Sequence, residues 1–205
     1  MHIAILTFDG FNELDSLIAL GLLNRVKRSD WRVSIASPTA RVESMNGLVL
    51  ERHIPLSEAN NADVVLIGSG MKTRAVVADD TIMSQLQLDP QRQLIGAQCS
   101  GALLLAQLGL LNGVPACTDL TTAPWVREAG VEVLNQAFFA RDNVASAGGC
   151  LASQYLACWV LARLEGVTVA QETMHYVAPV GEKDSYVERM MANVAPYLSA
   201  QQGPA

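Results

Sequence analysis

Of the four cysteines, at positions 99, 117, 150 and 158, one stands in a setting suited to covalent chemistry. Cys99 lies in Ala97-Gln98-Cys99-Ser100-Gly101, where the apolar run 94–98 gives way to helical spacing at 100–108. A sharp strand-to-helix turn needs small residues on both sides of its apex, and it exposes the central side chain as a nucleophile elbow. Unpaired N–H groups at the start of the next helix favour a thiolate, drawing a Cys pKa below about 8.5. Cys99 is therefore expected to be the most reactive of the four thiols. The competing reading is a small apolar residue closing a buried strand. A second glycine-bearing loop, Gly68-Ser69-Gly70, ends the apolar run 63–67. Its backbone N–H groups, set opposite that of Ser100, would form an oxyanion hole. The cysteines show no CxxC or Cys/His metal spacing and are too few for a disulfide scaffold, so free thiols in a reducing compartment are expected. No metal or organic cofactor is implied.

The elements that must position these residues alternate in type. Apolar strands are predicted at 3–8, 31–36, 63–67 and 94–98, with further short strands at 115–118, 131–134 and 144–147. Helical spacing follows at 17–26, 73–86, 100–108, 152–164 and 185–194. Asn46-Gly47, between 41–45 and 48–52, signals a two-residue hairpin. Strands alternating with helices predict an α/β fold, a three-layer α/β/α sandwich around a mostly parallel, flavodoxin-like sheet. In such sheets ligands bind beyond the carboxyl ends of the strands, where both glycine-flanked turns lie. The chain of 205 residues reads as a single domain over 1–198, with a loose tail at 199–205. It is 50% hydrophobic and 17% charged, which supplies a large core and argues against disorder. A net charge of −6 disfavours nucleic acid and anionic membrane as partners. The uncharged run 93–118 is broken by Gly96, Gly101, Gly109, Gly113 and Pro115, so it reads as buried soluble elements rather than a membrane span. The N-terminus lacks the pattern of a signal peptide, and a cytoplasmic location is expected.

Three stretches together resemble a known family. Gly96-Ala97-Gln98-Cys99-Ser100-Gly101-Ala102-Leu103-Leu104-Leu105-Ala106, the upstream run 63–70 and the downstream Ser146-Ala147-Gly148-Gly149-Cys150-Leu151-Ala152-Ser153 are similar to the ThiJ/PfpI superfamily, whose fold is that of the class I glutamine amidotransferases. The resemblance runs from residue 3 to about residue 164. It is strongest to the branch holding isocyanide hydratases and the sensor domains of some transcription regulators. It implies that Cys99 is the nucleophile and that Gly70 and Ser100 lend backbone donors. It also implies that Asp15 is an acid partner beside the cysteine, and that two copies dimerise. Asp15 has a second reading as a helix N-cap, and Glu13 and Asp9 stand as alternative acids. The hydratases follow their Asp with a Gly-Pro pair, whereas here Asp15 leads into Ser16-Leu17-Ile18-Ala19-Leu20-Gly21.

The peptidase branch carries His directly after the nucleophile, where this chain has Ser100, and other members carry it within 118–124, where none occurs. His2, His53 and His175 are the three histidines. His2 is expected at the far end of the sheet, while His175 would reach the site only if the C-terminal segment folds back. A protease or amidase thus lacks its base. Gly149 and Cys150 are expected near the nucleophile, Cys150 either lining the pocket, acting as a resolving thiol or packing as a small residue. Trp125, Phe138 and Phe139 read equally as pocket walls or interface residues. The resulting expectation is a cysteine-dependent hydratase or hydrolase acting on a small electrophilic carbon. A non-enzymatic small-molecule or oxidative-stress sensor is the rival. A glyoxalase- or deglycase-type activity would use the same cysteine and acid.

Overall fold

The computed structural model describes residues 1–198, so the expected tail at 199–205 lies outside the described residues. Seven strands form one sheet. They are β1 (His2–Leu6), β2 (Arg32–Ser37), β5 (Ile54–Pro55), β6 (Val64–Ile67), β7 (Leu94–Gln98), β8 (Phe138–Arg141) and β9 (Val144–Ala147), in the order β5-β2-β1-β6-β7-β9-β8. All neighbours are parallel except the hairpin pair β8 and β9. β3 (Arg41–Glu43) and β4 (Val49–Glu51) make a separate antiparallel ribbon. Its tip is longer than the two-residue turn expected from Asn46-Gly47. Only Gly47 takes a positive φ, and the Ser44 hydroxyl holds the loop by accepting from the N–H groups of Asn46 and Leu48.

A buried parallel sheet needs apolar residues on both faces, and the strands supply them in alternation. Along β1, Ile3 and Ile5 enter one buried cluster while Ala4 and Leu6 enter the other; β6 repeats this with Val64 and Leu66 against Val65 and Ile67. The first cluster is roofed by α1 (Glu13–Leu23), α6 (Ser153–Leu164), α7 (Val167–Val177) and α8 (Lys183–Val194). The second is roofed by α2 (Thr73–Val77), α4 (Gly101–Gln107) and α5 (Ala123–Glu128), with α3 (Asp80–Met83) at its margin. α6 is the central helix of its layer, with Trp159 fully buried against Phe138 of β8.

Several sequence expectations change for local reasons. The single helix expected over 73–86 is two, because the Asp79 carboxylate accepts from the N–H groups of Thr81 and Ile82 and starts α3 afresh. The strands expected at 115–118 and 131–134 reduce to one bridge, Ala116 with Val133; the next N–H, that of Cys117, goes to the Ser146 hydroxyl instead of to a neighbouring strand. The sequence reading placed no strand at β8 and no helix at α5 or α7.

β2 and β6 flank β1 on opposite sides, so the strand order reverses at β1, and it is at the carboxyl ends beside such a reversal that sheets of this kind bind ligands. α1 leaves β1 into the first layer and α4 leaves β7 into the second. The turn into α4 passes so close to β6 that a Cβ on Gly101 would lie 2.7 Å from the Ile67 carbonyl oxygen and 2.9 Å from that of Gly68. Both obstacles are backbone, so Gly101→Ala should lower unfolding free energy by about 1–3 kcal/mol. Urea denaturation followed by far-UV circular dichroism checks this, and an unchanged midpoint would show that the turn has slack.

Candidate active site

Cys99 follows β7 directly and has φ of +46°, a left-handed conformation that side chains other than glycine rarely adopt. Three contacts hold it there. The Cys99 N–H continues the sheet by donating to the Ala147 carbonyl at 2.8 Å, the Thr118 hydroxyl donates to the Cys99 carbonyl at 2.7 Å, and the Gly101 contact closes the turn. The expected elbow geometry is thus present in the backbone. The side chain, however, is only 3% exposed.

Asp15 comes from the opposite layer. It is the third residue of α1, and the capping position belongs to Asn12, whose side-chain oxygen accepts from the Leu14 N–H at 3.0 Å. Asp15 is 2% exposed. One carboxylate oxygen accepts from the Ser69 hydroxyl, while the other, Oδ1, has no conventional hydrogen-bond donor. The Ser153 hydroxyl fixes the backbone by donating to the Asp15 carbonyl at 2.6 Å. A carboxylate oxygen of Asp15, the Cys99 sulfur and the Cys150 sulfur all lie within 4.8 Å of one another. Among the described residues these three are the cluster of His, Cys, Asp or Glu groups close enough to share a metal ion.

Cys150 opens the short 3₁₀ turn after Gly149 and is partly exposed. The Asn12 amide donates to its sulfur at 3.1 Å. The Gln98 amide donates to the Gly149 carbonyl at 2.8 Å and reaches the Cys99 sulfur at 3.6 Å, tying the two cysteine-bearing turns together. The Gly70 N–H donates to the Ser100 hydroxyl at 3.1 Å, and that hydroxyl lies 2.6 Å from the Thr73 hydroxyl. The Gly70 donor therefore already has a partner on the elbow itself.

The alternative acids are engaged elsewhere. Glu13 accepts from Ser44 and Asn46 at the β3–β4 tip, and Asp9 accepts from the Glu43 N–H. The histidines are also accounted for. His2 lies 3.1 Å from the Ser34 hydroxyl at the amino end of the sheet, and His53 accepts from the Ile35 N–H. His175, whose side chain is 52% exposed, lies 3.7 Å from Asp184 on the C-terminal helices. Trp125 sits beneath the Arg74 guanidinium, and Phe138 packs in the core. Ser69, Asn12, Gln98 and Thr73 are the supporting groups that the sequence reading did not single out; Asn12 carried a signal, since Asn is among the strongest N-cap residues.

Burial raises the Asp15 carboxyl from 3.8 to about 6, with the Ser69 hydroxyl and the nearby thiols of Cys99 and Cys150 pulling the other way. Burial also pushes the Cys99 thiol well above its ordinary value, and the adjacent Asp15 carboxylate adds to the rise. Burial therefore opposes the thiolate that the helix start favours, and two anions this close repel, so the pair resists losing both protons.

A mostly parallel sheet covered on both faces, with a cysteine at a strained elbow and a buried acid beside it, defines a flavodoxin-like α/β protein built around a thiol–carboxyl pair. The DJ-1/PfpI family model matches residues 1–165, and the chain belongs to that family. Solved structures agree on the fold. The VC2308 protein superposes with a TM-score of 0.76 at 16% identity, covering 91% of this chain and 97% of its own. A cysteine-to-alanine mutant of the DJ-1 superfamily protein STM1931 from Salmonella typhimurium gives 0.74 at 21% identity, covering 86% and 97%. A ThiJ/PfpI family protein from Pseudomonas syringae gives 0.74 at 18% identity, covering 97% and 89%. No curated protein matches the sequence. α7 and α8 lie beyond the matched residues. No described helix is long and apolar enough to cross a membrane.

The raised Asp15 value has a stability consequence. With a folded-state pKa of about 6 against 3.8, the folded protein binds the extra proton between those values, so stability falls as pH rises through that window. Asp15→Asn removes the buried charge and should stabilise the protein above pH 6 by roughly 2–3 kcal/mol. The gain should vanish toward pH 4. Urea denaturation of both proteins at the two ends of the window measures it; a variant less stable at neutral pH would contradict the assignment.

Proposed function

We propose that this protein is a cysteine-dependent enzyme that adds water across a small electrophilic carbon, in the manner of an isocyanide hydratase. The observation that carries the reading is the Asp15 carboxylate, buried, with Oδ1 unclaimed by any conventional donor, within 4.8 Å of the Cys99 sulfur. No histidine joins that cluster among the described residues, so the proton must be handled by the carboxyl. In the proposed reaction the Cys99 sulfur attacks the terminal carbon of an isocyanide as Asp15 takes the thiol proton. Asp15 returns that proton to the same carbon, leaving a thioimidate. Water, deprotonated by Asp15, then adds to the carbon as Asp15 passes that proton to the nitrogen; the C–S bond breaks as the added hydroxyl becomes the carbonyl, its proton returns through Asp15 to the sulfur, and an N-substituted formamide departs. The near-complete burial of Cys99 suits a small substrate. The active unit is one domain over residues 1–198, acting in the cytoplasm.

Cys99→Ser should abolish turnover, because a serine without a strong base is a far weaker nucleophile. Asp15→Asn should lower it about 100-fold or more while the fold persists. The wild-type kcat/KM should rise with pH through about 6 as Asp15 ionises in the free enzyme. Steady-state assays on a panel of isocyanides and dicarbonyls test all three expectations, and the dicarbonyls separate the glyoxalase-type alternative. Full activity in Asp15→Asn would remove the acid from the mechanism.

The sensor reading retains support from the same burial, since a thiol 3% exposed and held protonated is quiet at rest. Saturable binding with no turnover of any compound in the panel would establish it. For either reading we propose a symmetric dimer, supported by exposed apolar residues such as Leu14, Leu151 and Val180. Light scattering at micromolar concentration should report twice the 22.0 kDa chain mass, and a monomer would contradict the proposal.

A further inference from the structure

Cys150 has no role in the water-addition chemistry, yet its sulfur shares the cluster of Asp15 and Cys99. The two cysteines leave the carboxyl ends of adjacent, hydrogen-bonded strands. β7 pairs with β9 through Gln98 and Ala147, and the Cys99 N–H extends the ladder to the Ala147 carbonyl. The Gln98 amide then bridges the Cys99 sulfur and the Gly149 carbonyl. The two turns that carry the cysteines are thus anchored by the paired strands before them and by the Gln98 bridge. The cysteines also differ in access and in contacts. Cys99 is 3% exposed, whereas Cys150 is partly exposed and accepts an N–H from Asn12 at 3.1 Å. Asp15, 2% exposed, stands beside both sulfurs with Oδ1 unpartnered, so a buried proton acceptor is already in place between them.

We infer that Cys150 and Cys99 form a dithiol–disulfide redox centre that reduces small hydroperoxides, with Cys150 meeting the oxidant and Cys99 resolving it. In the first step the Cys150 thiol gives its proton to Asp15 and its sulfur attacks a peroxide oxygen. The O–O bond breaks, and the departing alkoxide or hydroxide takes the proton from Asp15, leaving Cys150 as a sulfenic acid. In the second step the Cys99 thiol gives its proton to Asp15 and attacks the Cys150 sulfur. The S–S bond forms, the S–O bond breaks, and the leaving hydroxide collects the proton as water. Two thiols have lost two electrons to one peroxide, which ends as an alcohol (or water) and water. A neighbouring thiol at this range acts as an intramolecular reactant, so it intercepts the sulfenic acid before a second peroxide can carry it to the irreversible sulfinic stage. The same disulfide consumes the proposed nucleophile, so oxidation would silence water addition until a thiol reductant restores the pair.

The test uses the full chain, fully reduced, with one equivalent of hydrogen peroxide and no other substrate, so it is independent of isocyanide turnover. After quenching with excess iodoacetamide under denaturing conditions, intact mass should show two of the four thiols lost to alkylation, restored by dithiothreitol. Fragmentation of the linked peptides should place the bridge at Cys99–Cys150. Cys99→Ser should leave an oxidised Cys150 that dimedone traps, and Cys150→Ser should slow oxidation of the remaining thiols at least about 10-fold. Cys150→Ala serves as a second replacement, with circular dichroism confirming the fold of each. Oxygen addition to Cys99 with Cys150 still alkylated, a bridge through Cys117 or Cys158, or oxidation of Cys150→Ser at the wild-type rate would each overturn the inference.

Discussion

The site depends on one contact that water would never favour: a carboxylate held against a thiol in a nearly sealed space. Desolvating the Asp15 charge is costly, and the protein does not offset it with a buried cation. Among the described residues, Ser69, Cys99 and Cys150 are the groups that pull the carboxyl value down. Such a contact persists only where the surrounding structure leaves the side chains no alternative. Here α1 is pinned at both ends of the relevant turn, by the Asn12 cap and by the Ser153 hydroxyl on the Asp15 carbonyl. The elbow is pinned by the sheet on one side and by the close approach of Gly101 to β6 on the other.

In that arrangement a carboxyl, and no histidine, stands beside Cys99 among the described residues. A histidine next to a cysteine would stabilise a resting ion pair of thiolate and imidazolium, giving a permanently reactive sulfur. A carboxylate does the reverse, since its charge opposes ionisation of the thiol beside it. Under the proposed function the buried thiol is thus protected at rest, and an electrophile small enough to enter would supply the driving force for its reaction. Two polar side chains around the pair each make two contacts. Asn12 caps a helix with its oxygen and contacts Cys150 with its nitrogen, while Gln98 contacts one cysteine and steadies the turn before the other.

The parts of this architecture that were legible in the sequence are those governed by short-range rules. The strand 94–98, the small residues around Cys99 and the glycine-closed helix that follows are all local, and all are present in the fold. Asp15 was legible only through family resemblance, because its partner is 84 positions away in the numbering and comes from the opposite layer. The thiol's direction of shift was not legible. A helix start is visible in sequence, but the degree of burial and the nearness of a second anion are properties of the packed molecule. Helix α7 was overlooked although Val167, Ala170, Met174 and Val177 recur at helical spacing, whereas β8 had little to announce it, since Phe138-Phe139-Ala140-Arg141 acquires its strand character by pairing with β9.

The short strand β5 has a bearing on how copies of this molecule can meet. It ends the sheet with two residues, Ile54 and Pro55, paired to Ala36 and Ser37 of β2. A proline nitrogen carries no hydrogen, so half of this margin has nothing to donate to an incoming strand. Adding another chain edge to edge would recover too few main-chain bonds to offset the ordering it demands. That margin is blunted against sheet extension and against the fibrillar stacking that open parallel sheets invite, so specific self-association must use some other part of the surface.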